Sequence, residues 1–307
     1  MLKPKRLRPG DKVAIVAPAS GFPREEFDKG IVELQQLGFE PIYEPSVFAR
    51  GHYVAGEGHL RAEAFLNAWR DPAIRAIVAV RGGYGSVHLL PFLESNALRE
   101  DPKAFVGYSD LTTMLSYLTT RCGIVSFHGP MLDRRLGYGA SGYDRDTFVR
   151  ALMSAEPIGE LAPAGLEVFT QGEASGMLVG GTLAQLVASL GTPYAFTPPK
   201  GHVLFLEDVS ERPYRLDRMI TQLRFAGILD LASAIVLGEF IGCDEPRGEP
   251  QARETLADLF KGFAGPVMFG FPSGHTSGPS MTLPFGVTAR VIAQSAPRLV
   301  IEEASVT

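Results

Sequence analysis

Short apolar runs alternate with helical patterns through the first half of the chain. Four runs are strand-sized and almost free of charge, and they cover residues 12–17, 74–80, 104–107 and 123–128. Continuous apolar strands are typical of a sheet that is buried on both faces, and helices between consecutive strands favour parallel pairing. We therefore predict an α/β fold whose functional loops gather at the carboxyl ends of the strands.

A change in composition predicts a domain boundary after this first unit. The stretch 156–165 is rich in Pro and Gly and shows little periodicity. Beyond it, apolar strands and amphipathic helices continue, and the last segments resemble strands of a mixed sheet. We predict an N-terminal α/β domain over residues 1–155, a linker over 156–172 and a C-terminal mixed α/β domain over 173–307.

Charge and composition exclude several classes of function. The chain has 307 residues with 29 Lys and Arg against 34 Asp and Glu, a net charge of −5. This balance predicts neither a nucleic-acid partner nor an anionic membrane surface. The basic start at Lys3 is not followed by an apolar signal core, so we expect a cytoplasmic location. The two cysteines, Cys122 and Cys243, have no metal-binding or redox spacing and are expected to be inert thiols.

A short strand that runs through Gly107-Tyr108-Ser109-Asp110 into a helix is the first candidate for chemistry. Glycine permits a sharp bend, and the unpaired amides at a helix start can hold an oxyanion. The commoner role of Ser or Asp at such a junction is to cap the helix. Ser109 is a candidate nucleophile only if the chain also supplies a base and an acid.

His275 is the first candidate for the base. It lies in a loop crowded with Gly and Pro directly after a strand, where neither helix nor sheet requires a histidine. His128, which also ends a strand, is the second candidate. His52, His59, His88 and His202 are interpreted as surface or structural residues. No pair of histidines has the spacing of a metal site, and we predict no metal.

Glu207 is the candidate acid, because it closes an apolar strand in which a charge is costly without a partner. Asp208 follows it and should point to the opposite side. An acid that orients an imidazole beside a serine completes the logic of a catalytic triad. The order serine, acid, histidine along the chain occurs in other hydrolases and is not diagnostic by itself.

Six motifs taken together resemble the L,D-carboxypeptidase family of serine peptidases, and they extend over nearly the whole chain. They are Ala17-Pro18-Ala19-Ser20, Arg81-Gly82-Gly83-Tyr84-Gly85, Phe105-Val106-Gly107-Tyr108-Ser109-Asp110, Phe127-His128-Gly129-Pro130, Leu206-Glu207-Asp208-Val209 with the run to Arg218, and Gly274-His275.

The resemblance implies the nucleophile, acid and base at Ser109, Glu207 and His275. It also implies a Rossmann-like or flavodoxin-like N-terminal domain, a mixed C-terminal domain, a homodimer, and no metal or cofactor. The implied activity is release of terminal D-alanine from murein tetrapeptides during cell-wall recycling. A second branch of the family hydrolyses peptide-nucleotide antibiotics of the microcin C type, and the run 211–218 resembles the carboxypeptidase branch more closely. One departure is Thr182, where the family pattern has asparagine after two glycines.

Residues around the Ser109 turn complete the predicted site. The backbone amide of Asp110 is the expected oxyanion donor, with a second donor from Gly82 or Gly83, because glycine lets the backbone approach closely. Arg81 is expected to hold a substrate carboxylate. The candidate substrate contacts are Arg81, Tyr84, Tyr108 and His128.

Two other classes of function compete with a peptidase. The Gly83-x-Gly85 pattern follows a strand, as in dinucleotide-binding domains, but His88 stands where the third glycine of that fingerprint is needed. A non-catalytic binding module is the other alternative. It explains poorly why a serine, an acid and a histidine all fall at strand ends.

Overall fold

The computed structural model describes residues 1–307, which form two β-sheets with flanking helices. The strands are β1 Lys12–Val16, β2 Glu40–Ile42, β3 Ile74–Ala79, β4 Ala104–Gly107, β5 Ser126–His128, β6 Gly159–Leu161, β7 Glu167–Thr170, β8 Gly172–Thr182, β9 His202–Glu207, β10 Ala232–Leu237, β11 Val267–Phe269, β12 Leu283–Phe285, β13 Thr288–Ala293 and β14 Arg298–Ile301. The α-helices are α1 Arg24–Gln36, α2 Gly58–Arg70, α3 Ser95–Glu100, α4 Thr112–Ser116, α5 Arg145–Met153, α6 Leu183–Ser189, α7 Pro213–Phe225, α8 Ile228–Leu231 and α9 Ala252–Phe260.

The first sheet has six strands in the order β12-β5-β4-β3-β1-β2. All neighbours in it are parallel except β12, which pairs antiparallel with β5. Its central strands β3 and β4 are buried almost throughout, as their continuous apolar runs predict. The predicted α/β class is confirmed. The loops that carry Ser20, Gly82 and Ser109 lie together at the carboxyl edge of this sheet.

The second sheet has eight strands in the order β6-β14-β13-β8-β9-β10-β11-β7. The four strands from β8 to β11 are parallel, and the outer ones are antiparallel, so the sheet is mixed as predicted. Along β9, side chains alternate between two apolar cores. Val203 and Phe205 face the core shared with the first sheet, whereas Leu204 and Leu206 face helices α6, α7 and α9.

Two segments differ from the sequence-based expectation. The predicted linker, 156–172, contains β6 and β7, which form the two edges of the second sheet. From the C-terminal half, β12 crosses over to complete the first sheet. These strands have only three or four residues, too few to show a recognisable periodicity. The division at 1–155 and 173–307 remains a proposal.

Both cysteines are buried and free. Burial raises the pKa of the Cys122 thiol to about 11 and that of the Cys243 thiol to about 12. Since the thiolate is the reactive form, neither residue competes with Ser109 as a nucleophile. None of the helices combines the length and the apolar character needed to cross a membrane.

Candidate active site

Ser109 occupies a strained turn between β4 and a helix. Its φ is +64°, a left-handed conformation that costs a residue with a side chain on the order of 1 kcal/mol or more. A 3-10 turn over Ser109–Leu111 follows and leads into α4. No side chain caps either helix start, so the capping interpretation of Ser109 and Asp110 is wrong. A serine held on a strained strand-to-helix turn is typical of a nucleophile displayed above a sheet.

Glycines allow the neighbouring loop to approach this turn. A Cβ on Gly82 would lie 2.8 Å from Ser109 Cβ, a separation that real side chains do not reach. The Gly83 backbone has a φ of +96° and lies against Ser20. Neither the Gly82 nor the Gly83 amide donates a hydrogen bond to another protein atom. Both are therefore free to bind a ligand beside Ser109.

Glu207 and His275 form a tightly bonded pair at the end of β9. The imidazole Nδ1 lies 2.7 Å from Glu207 Oε2, and the His275 amide donates to the same oxygen at 3.0 Å. The carboxylate is completely buried, whereas the imidazole is 19% exposed. At Gly274, where φ is +80°, a Cβ would lie 2.8 Å from the Glu207 carboxyl carbon. The glycine before His275 thus permits the loop to close on the carboxylate.

Electrostatics shift the pKa values of both members of this pair. Burial by itself would raise the pKa of Glu207, but the positive charge of His275, the hydrogen bond from its imidazole and the nearby His128 together leave it well below its usual range. Burial lowers the pKa of His275, but the charge of Glu207 and the hydrogen bond to it together outweigh burial, so the net shift is upward. The adjacent Asp208 behaves differently, since burial and the negative charge of Glu207 raise its pKa to about 7.

Thr182 supplies the donor for the other carboxylate oxygen. It ends β8 directly opposite Glu207 in the parallel register, and its hydroxyl donates a hydrogen bond to Glu207 Oε1. Its amide donates to Thr112 Oγ1 at 3.0 Å, one helical turn beyond Ser109. The departure from asparagine therefore keeps a hydrogen-bond donor on Glu207. Through its amide and its hydroxyl together, Thr182 links the helix after the nucleophile to the strand that carries the acid.

Arg135 is a site residue that the sequence-based reasoning missed. Its guanidinium donates to the carbonyl oxygens of Gly274 at 2.8 Å, Thr276 at 2.9 Å and Gly278 at 3.0 Å, which fixes the loop that carries His275. Its Nε also donates to the Tyr108 hydroxyl at 3.4 Å. The signal in the sequence is an arginine shortly after the strand end at His128, but its acceptors are backbone oxygens that no motif displays.

The predicted substrate contacts lie in different environments. Arg81 is 30% exposed and its guanidinium lies 3.1 Å from the buried Asp133 carboxylate. Tyr84 is 51% exposed at the tip of the glycine loop. Tyr108 is buried with its ring edge-on to His275 at 5.1 Å between centroids. Arg81 and Tyr84 can therefore still meet a ligand, and Tyr108 forms a wall behind the imidazole.

His128 does not lie where the sequence-based reasoning put it. The residue is completely buried, so it cannot contact substrate or replace His275 as the base. Its Nε2 lies 3.9 Å from Glu207 Oε1, and its Nδ1 lies 3.0 Å from Ser273 Oγ. His128 thus stands behind the carboxylate, on the side opposite the cleft. Its position at the end of β5, next to β4, brings it there.

The predicted acid and base are bonded to each other, and the predicted nucleophile follows Tyr108, whose ring packs against His275. Ser109 comes from the first sheet, while Glu207 and the loop of His275 come from the second, and Thr182 and Arg135 connect the two groups. The structure contains no hydrogen bond between Ser109 Oγ and the His275 imidazole, and such bonds commonly tighten only when substrate binds. The combination of this fold and this site is that of a serine hydrolase.

The chain belongs to the LD-carboxypeptidase family. The model of the family's N-terminal domain matches residues 13–129, and that of its C-terminal domain matches residues 175–291. The murein tetrapeptide carboxypeptidase of Pseudomonas aeruginosa is 32% identical over 91% of this chain and 92% of its own length. The microcin C7 self-immunity protein of Escherichia coli is 28% identical over 88% of this chain and 86% of its own.

A solved structure of the family superimposes closely. The crystal structure of muramoyltetrapeptide carboxypeptidase from Oxalobacter formigenes has a TM-score of 0.84 and 30% identity, and the match covers 96% of this chain and all of that one. The two-domain architecture expected from the resemblance is therefore that of a solved relative.

Proposed function

We propose that this protein is a serine-type L,D-carboxypeptidase that releases the terminal D-alanine of murein tetrapeptides in the cytoplasm, and that it acts as a homodimer. The observation that carries the proposal is the bonding of the buried Glu207 carboxylate to His275 at the edge where Ser109 is displayed on its strained turn. Relatives with murein peptidase names over most of the chain support the substrate class.

In the first half of the reaction, His275 Nε2 takes the proton of Ser109 as Oγ attacks the carbonyl carbon before D-alanine. Glu207 holds Nδ1–H and stabilises the imidazolium. The free amides of Gly82 and Gly83, with that of Asp110, receive the oxyanion. When the C–N bond breaks, His275 returns its proton to the amine of D-alanine, and an ester remains on Ser109.

In the second half, water enters the place that D-alanine has left. His275 takes a proton from this water, the hydroxide adds to the ester carbonyl, and the same amides hold the second oxyanion. The bond between the acyl carbon and Ser109 Oγ then breaks, and His275 returns the proton to the serine. The tripeptide leaves with a new carboxylate, and every group of the enzyme is restored.

Mass spectrometry of a murein tetrapeptide incubated with the protein tests the proposal. We expect loss of one alanine residue from the intact tetrapeptide. A tetrapeptide that ends in L-alanine is the matched control and should remain intact. Release of no alanine from the D-terminated peptide by folded protein would contradict the proposal. Light scattering during size exclusion tests the homodimer separately.

Cleavage of a microcin-type aminoacyl nucleotide is the second candidate function. The similarity to the self-immunity protein supports it, although the murein relatives named above are more identical. The same assay distinguishes the two candidates when the nucleotide conjugate is offered in parallel. Cleavage of the conjugate, with the tetrapeptide left intact, would show that the protein is a hydrolase of microcin-type conjugates and not a murein peptidase.

A further inference from the structure

We propose that Arg61 is a positioning residue that sets the Gly82–Gly85 loop for oxyanion binding. The inference rests on the proposed function in one respect, since it takes the amides of this loop as donors to the reacting carbonyl. Arg61 lies on α2, outside all six motifs of the family resemblance, and is 5% exposed.

The Arg61 guanidinium joins three loops at the carboxyl edge of the first sheet. It donates to Gly85 O at 2.8 Å, to Gly56 O at 3.0 Å and to Pro18 O. Its remaining nitrogen lies 3.2 Å from His88 Nδ1, in the turn that follows the glycine loop. A planar group with five donors can serve several acceptors at once, which an ammonium cannot reproduce.

No carboxylate pairs with Arg61, although the side chain is buried. Its partners are three carbonyl oxygens and one ring nitrogen. Burial lowers the pKa of Arg61, and the charge of Asp110 partly offsets this. A buried charge without an ion-pair partner is costly, and an apolar side chain would fill the space without that cost. The hydrogen bonds to the three loops therefore account for the presence of a buried arginine at this position.

Asp110 holds the same loop from its other side. Its carboxylate accepts hydrogen bonds from the amides of Gly85 at 3.2 Å and Ser86 at 2.8 Å, and its carbonyl accepts from Ser86 Oγ at 2.7 Å. Arg61 binds the carbonyl of Gly85 while Asp110 binds its amide. The end of the loop is fixed from both sides, directly after the two glycines whose amides are free.

Ser20 fixes the start of the loop through the strand end that Arg61 also binds. The Ser20 amide donates to Gly82 O at 3.1 Å, and its hydroxyl accepts from the Tyr84 amide at 3.1 Å. Because Arg61 bonds Pro18 two residues earlier, loss of the guanidinium releases both ends of the loop. A displacement of about 1 Å in such donors costs about 100-fold in rate.

The test compares Arg61→Ala with the wild type in alanine release and in labelling of Ser109 by a fluorophosphonate, whose phosphoryl oxygen occupies the oxyanion site. We expect kcat and the labelling rate to fall about 100-fold with KM changed less than about threefold. Methylguanidinium should restore at least about tenfold, since a cavity of about 170 Å³ lined by Arg61, Ala17 and Ala55 adjoins the vacated space.

Arg99→Ala is the control, because that guanidinium bonds the Cys122 carbonyl and not the loop. It should keep the wild-type rates and show no response to methylguanidinium. A folded Arg61→Ala protein with wild-type labelling, or one whose lost rate methylguanidinium leaves unchanged, would overturn the proposal.

Arg61→Lys decides the question if Arg61→Ala fails to fold. It keeps the charge but has three donors for four partners and lacks the planar fork of the guanidinium, so we expect about a tenfold loss of labelling rate. A wild-type rate in the lysine variant would refute the positioning role. If the wild type releases no alanine, the proposed function fails, while the labelling comparison still tests the role of Arg61.

Discussion

Glu207 accepts two hydrogen bonds from His275 on one carboxylate oxygen, from the ring Nδ1 at 2.7 Å and from the backbone amide at 3.0 Å. Because ring and main chain are bonded to the same atom, the imidazole cannot rotate without breaking the contact. Nδ1 must carry its proton to make this bond, so Nε2 is the nitrogen that accepts the proton of a nucleophile. The carboxylate therefore determines both the orientation and the tautomer of the base.

Ser109→Ala is expected to lower the rate of alanine release by about 10⁴ or more, because it removes the atom that forms the acyl intermediate. The intact mass of the wild type should rise by one fluorophosphonate adduct, and that of the variant should not change. Circular dichroism shows whether the variant is folded. Normal turnover in a folded variant would exclude Ser109 as the nucleophile.

The activity is expected to decline on the acidic side at a pH set by His275. Burial lowers the pKa of His275 and the Glu207 carboxylate more than offsets it, so the group titrates above its ordinary value of 6.5. The base must be neutral, so kcat/KM should rise with pH through this raised pKa. The profile of kcat/KM against pH measures it, and a midpoint below 6.5 would contradict the pairing.

Glu207→Gln tests the origin of that shift. With the carboxylate gone, burial remains and the pKa of His275 should fall below that of the wild type. The expected loss of rate is about 10⁴, as for a triad whose acid becomes an amide. An NMR titration of the imidazole Cε1–H gives the pKa of His275 in both proteins. Equal pKa values would show that Glu207 does not cause the upward shift.

Thr182→Val is expected to weaken the site without changing its shape. The substitution deletes the hydroxyl that donates to Glu207 Oε1, so a buried charged oxygen loses its donor. We expect a loss of about 1 to 3 kcal/mol in the free energy of unfolding and a fall in kcat/KM. Thr182→Asn keeps a donor and should retain most of the activity. Chemical denaturation and steady-state kinetics measure both, and equal behaviour of the two variants would be inconsistent with this role.

Arg135→Met is expected to release the loop that carries His275. Three carbonyl oxygens between Gly274 and Gly278 lose their donor, and we expect kcat/KM to fall about 100-fold through misplacement of the imidazole. The neighbouring Arg134 is 65% exposed and lies 3.8 Å from Asp133, so Arg134→Met should change kcat/KM less than about twofold. Similar losses in both variants would show that charge, and not the loop contacts, is responsible.

Continuous apolar runs in the sequence predicted the strands that are buried on both faces of a sheet. The apolar runs over 74–80 and 104–107, and the one that Glu207 closes, appear as strands β3, β4 and β9. The helix expected after Asp110 is less regular, since it passes from a 3-10 turn through α4 into a π turn at Tyr117–Arg121. These three helix types differ only in whether an amide bonds the carbonyl three, four or five residues earlier, and residue propensities do not distinguish them in so short a segment.

Residue chemistry predicted which side chains would meet, but not how they are supported. The bonding of Glu207 to His275 follows from the cost of a charge at the end of an apolar strand. The contacts of Thr182, Arg135 and Arg61 depend on backbone oxygens and on strand register, which only the fold brings together. His128 was predicted to line the cleft because it ends a strand. It is instead buried behind Glu207 because Phe205 of β9 and Phe285 of β12 pack against its ring, a contact that the sequence does not display.

Strand β12 has a consequence for how this enzyme can be divided. It follows the His275 loop along the chain and then hydrogen-bonds to β5, the strand beside the one that leads to Ser109. The C-terminal residue Thr307 also bonds back to Pro4 and Arg6. A gene cut within 156–172 would therefore yield an N-terminal fragment with an unpaired sheet edge and a C-terminal fragment with a strand that has no sheet. Fragment complementation, in which co-expressed halves assemble, is the form of division that this chain topology permits.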